Sequence, residues 1–226
     1  MPGGLLEIGE MLLATSQRRL DIVSQNVANA STPGFKSDAL FENALQSATV
    51  EDGRVWLSLD TDFSQGAMRG TGRSLDLAIA GSGFFELRAG DQVYYTRAGA
   101  FDRDAAGRLV DLQGFALQSS DGSDIVLTSS QVEILPDGVI LGGGAPVARI
   151  GVFDETTPGT LARIGGNYFA AREGMALAAE PNLQQGMLEA ANVDMAAQML
   201  DMIALHTDAI ELEPLDSVIS ETTRRE

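Results

Sequence analysis

Between Glu10 and Thr32 the chain has neither glycine nor proline. Through and just ahead of that window, apolar or small residues return every three or four positions: Leu5, Ile8, Leu12, Ser16, Leu20, Val23, Val27 and Ala30. That step is the period of one helix face. Roughly 20 unbroken residues give a helix about 30 Å long, and a helix with such a stripe must bury it against something. The stop is equally marked. Asn29 tolerates the left-handed conformation that ends helices, and Thr32-Pro33-Gly34-Phe35 reads as a tight turn, with Pro33 fixing φ and Gly34 supplying a positive one.

From about residue 70 to 172 the pattern changes. Gly and Asp punctuate the stretch, as at Gly90-Asp91, Asp121-Gly122, Asp137-Gly138 and Gly142-Gly143-Gly144. Short apolar runs lie between: Leu75–Ala80, Phe84–Leu87, Val93–Tyr95, Ile125–Leu127, Val132–Leu135 and Ala148–Phe153. Short strands with regular turn signals predict an all-β, mostly antiparallel domain. The clearest hairpin joins Phe84–Leu87 to Gln92–Tyr95. Residues 183–212 return to helix: Asp194 can cap a run from Met195 to Leu212 in which Met195, Met199, Ile203, His206 and Ile210 share a face. The predicted fold is therefore α+β, with terminal helices flanking one β domain. The expected segments are 1–36 (helix and turn), 37–69 (linker), 70–172 (β domain) and 173–226 (helix and acidic tail). Val55–Leu59 in the linker has strand character but no evident place.

Charge and composition narrow the function. The chain of 226 residues carries a net charge of −17, which disfavours phosphate backbones and anionic lipid. Neither nucleic-acid binding nor membrane insertion is expected. The first cation is Arg18, so the sequence predicts no cleavable signal peptide. With no cysteine and one histidine, His206, neither a thiolate site nor a His–His metal pair can be built within the chain. Gly81-Ser82-Gly83 is not a nucleophile elbow. Asp102–Gly107 lacks the ligands of a calcium loop, since the fifth position is Ala106 and the twelfth Gln113. No enzyme, metal or cofactor is expected.

Four stretches, in order, resemble the bacterial flagellar rod and hook proteins: Asn26–Lys36; Thr71–Phe85; Tyr95–Phe101 with Gly107–Val110 and Gly114; and Gly186–Asp194. The resemblance implies a structural subunit of the flagellar basal body, in its periplasmic rod, exported without a cleaved signal. Its terminal helices would form a coiled-coil-like axial core with other copies and neighbouring rod subunits, and the export apparatus would be a further partner. The length leaves room for a single β domain, which favours a proximal rod subunit over a distal rod or hook member. On this reading the subunit interface comprises Leu12, Leu20, Val23, Val27 and Asn29, the turn Pro33, Gly34 and Phe35, and Asn192, Val193, Asp194, Met195, Met199 and Ile203. The departure from the family lies at Ala204–Ala209, which stands where a Gln-Arg-aromatic segment is usual, in a region (183–226) with nine acids and two bases. The alternative from another class is a soluble β-type binding module with its helices folded back on it.

Overall fold

The computed structural model describes residues 3–40, 50–51, 54–55, 59–129, 131–172 and 174–207, with side chains of the first helix from Ala14 onward. The chain divides into two compact units. One comprises Met1–Ala30, Ser37–Asp62 and Val193–Glu226; the other comprises Ser31–Lys36 and Phe63–Asn192.

In the helical unit, α1 spans Gly3–Asn29, as the periodicity predicts. Ile22 and Val23 are buried. Between them and the helix end sits Asn26, a polar residue that is also buried. Its amide donates to the carbonyl of Asp38 at 2.8 Å and to Gln198 Oε1 at 3.0 Å, while its Oδ1 accepts from the Asp38 N–H at 3.0 Å. A buried amide needs such partners, because an unpaired one costs about 1–3 kcal/mol. Asp38–Leu40 pairs antiparallel with Leu59–Thr61, and Val50–Glu51 with Arg54–Val55. The predicted strand Val55–Leu59 is thus divided: Val55 and Leu59 belong to different strands, and 56–58 lie outside the described residues. The second helix, α2, covers 195–207. Asp194 caps it as expected, its Oδ1 accepting from Ala196 and Ala197 N–H at 3.0 and 3.1 Å. The predicted extension to Leu212 falls outside the described residues.

In the β unit every paired strand is antiparallel. The centre is Phe84–Ala89, which pairs with Gln92–Thr96, Ala116–Leu117 and Val152–Glu155 within a nine-stranded sheet. The predicted hairpin is present, turning at Gly90-Asp91. A three-stranded sheet follows at 132–149. The core gathers Leu77, Ile79, Phe85, Leu87, Phe101, Leu109, Leu117 and Ile140, all essentially inaccessible. Phe85 meets Phe101 edge-on at 5.3 Å. Each such side chain contributes about 1.5–3 kcal/mol of burial.

One prediction is corrected here. Residues 183–189 are not helical: Leu183–Gln185 pairs with Leu77–Ile79, and Met187–Glu189 with Met68–Gly70. Gly186, at φ +75°, separates the two strands, and a glycine in that conformation interrupts a helix. Leu183, 2% exposed, closes the β core rather than extending a helical stripe.

Candidate functional site

The turn after α1 lies in the β unit, not with the helix it follows. Its last two residues explain why. Phe35 is 0% exposed and Lys36 only 1%, so the turn is an interior part of that unit. The Lys36 ammonium donates to Glu189 Oε1 and to the carbonyl of Ser64, each at 2.6 Å. Glu189 Oε1 also accepts from the Gly66 N–H at 2.8 Å, and its Oε2 from Arg97 at 3.3 Å. Arg97 further donates to the carbonyls of Ile79 and Gly81 at 3.3 and 2.6 Å and lies over the Phe84 ring. Burial pushes the Arg97 guanidinium below its ordinary range; the Glu189 and Asp154 charges oppose that shift. A carboxylate this deeply buried is tolerable only when paired and fully hydrogen-bonded, and Glu189 is.

The rest of the turn is fixed on all sides. Gly34 N–H donates to the Glu189 carbonyl at 2.8 Å, and Asn192 N–H to the Phe35 carbonyl at 3.3 Å. Asn167 donates to the Pro33 carbonyl at 2.9 Å. The Arg163 guanidinium donates to the Lys36 carbonyl and is stacked between the Phe35 and Phe169 rings, 4.9 and 4.8 Å from their centroids. Gly34 has φ +70°, and a Cβ there would lie 2.4 Å from the Ala98 nitrogen. Only glycine fits, for reasons of both conformation and space.

The candidate interface residues therefore separate into groups. Pro33, Gly34, Phe35 and Asn192 build this anchor inside the β unit. Asn29 ends α1 with its amide donating to the Gln25 carbonyl at 2.9 Å, and Asp194 caps α2. Val23 is buried, and Val27 and Val193 half-buried, in the helical unit. The side chain of Leu12 lies outside the described set. Leu20, Met195, Met199 and Ile203 are exposed, at 36, 39, 51 and 64%. The predicted α2 stripe of Met195, Met199 and Ile203 is thus the open face of that helix within the chain. The covered positions are Gln198, Met202 and Leu205, which also recur at helical spacing.

Lys36, Arg97 and Glu189 lie within the stretches that resemble the rod and hook proteins, but no local pattern gives them a role. One signal was available: Lys36 is the sole lysine of the chain, beside fourteen arginines. Among the described residues no group of three or more His, Asp or Glu side chains could hold a metal. Asp104, in the rejected calcium loop, instead accepts from the Ala106 and Arg108 N–H groups at 2.9 and 2.8 Å, as a polar β-turn does.

Residues 9–36 match the family model of the flagella basal body rod protein, and residues 78–142 that of the flagellar hook protein FlgE/F/G D1 domain. The flagellar basal-body rod protein FlgF of Caulobacter vibrioides is 34% identical over 88% of this chain and 86% of its own length. The chain belongs to the flagellar rod and hook protein family. The basal-body rod protein FlgG of Bacillus subtilis is 32% identical over 83% of this chain and 84% of its own. The hook protein FlgE of Borreliella burgdorferi, 34% identical, matches 56% of this chain but only 34% of its own length. As a member of the rod family, the chain is a structural subunit of the flagellar basal body and not an enzyme, which sets aside the binding-module alternative. The stretch matching the rod model runs through α1 and ends on Lys36, the residue whose ammonium anchors the turn.

Proposed function

We propose that this protein is a proximal rod subunit that assembles through its terminal helices, with Leu20, Met195, Met199 and Ile203 supplying the contact surface between copies. One observation carries the reading: α2 leaves Met195, Met199, Leu200 and Ile203 39–68% exposed while a different face of the same helix is covered. Exposed apolar side chains grouped on one element mark an interaction surface. Helices from several copies, packed in a coiled-coil-like core, would cover them. Val23, Val27 and Val193 would steady the helices from within, while Asn29 and Asp194 set where each helix stops or starts. Pro33, Gly34, Phe35 and Asn192 would act by holding the turn rather than by touching a neighbour. Neighbouring rod subunits and the flagellar export apparatus are the partners, and the periplasmic rod, reached without a cleaved signal, is the location. Among the described residues no helix is long and apolar enough to cross a membrane.

The proximal position is supported by the FlgF match at 88% coverage. The FlgG match at 83% favours a distal position as the second reading. The chain has no cysteine, so paired replacements Leu20→Cys and Ile203→Cys in assembled basal bodies report directly on contact between copies. Disulfide-linked oligomers of the rod subunit are the expected result. Purely monomeric subunits from oxidised, intact basal bodies would refute helix-mediated packing at these positions. Gold-labelled antibody at the membrane-proximal end of the rod separates the proximal from the distal reading.

A further inference from the structure

We propose that Lys36, Glu189 and Arg97 form a clasp that ties together the two ends of the β unit, residues 31–36 and 187–192, and that the clasp opens as a local unit when Glu189 loses its charge. Its parts come from three distant places in the chain, and all three side chains are at most 4% exposed. Glu189 is the shared member: it pairs with Lys36 at 2.6 Å and with Arg97 at 3.3 Å. Around this charge cluster the two ends also bond main chain to main chain, Gly34 N–H to the Glu189 carbonyl and Asn192 N–H to the Phe35 carbonyl. The hydrophobic core is built from other residues. The cluster is a separate lock between the first and the last segments of the β unit.

The stoichiometry makes an asymmetric prediction. Two buried cations share one carboxylate, and Arg97 Nε has no hydrogen-bond partner. Glu189→Gln removes the carboxylate to which Lys36 and Arg97 both bond. Lys36→Met leaves the one-to-one pair of Glu189 and Arg97. Removing one partner of a buried pair is far costlier than removing a group whose loss leaves a balanced pair. Glu189→Gln should therefore open the clasp much further than Lys36→Met.

The full-length chain offers a specific probe. As the sole lysine, Lys36 carries the only side-chain amine an acylating reagent can modify. In the wild type it should label slowly, being buried. In Glu189→Gln, labelling of Lys36 and hydrogen exchange at the Gly34 and Asn192 amides should all accelerate, on the order of 100-fold. Amides of the Phe84–Ala89 and Gln92–Thr96 hairpin should keep their wild-type protection. In Lys36→Met the Gly34 and Asn192 amides should accelerate by well under that factor, with the hairpin again unchanged. Unchanged exchange at both amides in Glu189→Gln would overturn the proposal, as would equal acceleration in the two variants. If Glu189→Gln does not fold, Lys36→Met decides alone: acceleration confined to Gly34 and Asn192 supports a clasp. Acceleration spread evenly through the hairpin, or none at all, refutes it.

Discussion

The β unit and the helical unit treat their apolar residues in opposite ways. In the β unit, Leu77, Phe85, Leu87, Phe101, Leu109 and Leu117 are fully inaccessible, and the strands that contribute them pair within the same unit. In the helical unit, the buried apolar set among the described residues is Ile22, Val23 and Leu205, while Leu20, Met195, Met199, Leu200 and Ile203 stay in solvent. The first pattern is that of a unit that closes its own core. The second leaves apolar side chains on an open helix face, the surface proposed above to be covered by other copies. A short amphipathic helix gains most of its stability from what covers its stripe, so on the proposed reading the same kind of side chain serves folding in one region and assembly in the other.

The sharpest way to break this contrast is to put a charge in each exposed position. Leu20→Asp or Ile203→Asp should abolish motility, because a carboxylate in an apolar seam between copies is strongly disfavoured. The melting of the purified monomer should stay as in wild type. Swimming by both variants, scored on soft agar, would show that these positions are not covered in the rod. The next largest effect concerns the extent of the β unit. A fragment of residues 31–192 should give a cooperative thermal transition by circular dichroism. Residues 70–172, which lack Lys36, Leu183 and Glu189, should give a broad one or none.

Point substitutions extend the comparison with smaller effects. Phe85→Ala should lower the stability of the β unit by about 3–5 kcal/mol, whereas Ile203→Ala should change the monomer by no more than about 0.5 kcal/mol; urea denaturation of each variant tests both. Gly34→Ala should cost about 1–3 kcal/mol, since the alanine would need a left-handed backbone and would press on the Ala98 nitrogen. The smallest effect is on pH dependence. Tyr95 and Tyr168 have hydroxyl pKa values raised first by burial and then by the carboxylates they donate to, Glu86 and Asp111. The folded state therefore prefers the neutral phenols. Their contribution is complete below the unfolded tyrosine pKa of about 10 and is lost as pH rises beyond it. Stability of the β unit should fall between pH 10 and 12, and Tyr95→Phe with Tyr168→Phe should flatten that fall in denaturation curves.

Much of this molecule is legible from local pattern. The span and stop of α1, the Asp194 cap and the hairpin at Gly90-Asp91 follow from periodicity, capping and turn chemistry, each of which acts over a few residues. The α+β class and the resemblance to the rod and hook proteins followed from the same stretches. Three features were decided only by the tertiary structure. Residues 183–189 look compatible with helix in isolation, but pairing with strands more than 100 residues earlier makes them β. Two helical stripes can be drawn through α2, Met195–Met199–Ile203 and Gln198–Met202–Leu205, and only packing decides that the second is the one covered within the chain. Lys36 and Glu189 stand 153 positions apart. A charge pair at that separation leaves no periodicity, because what joins the two residues is the closing of the β unit around them.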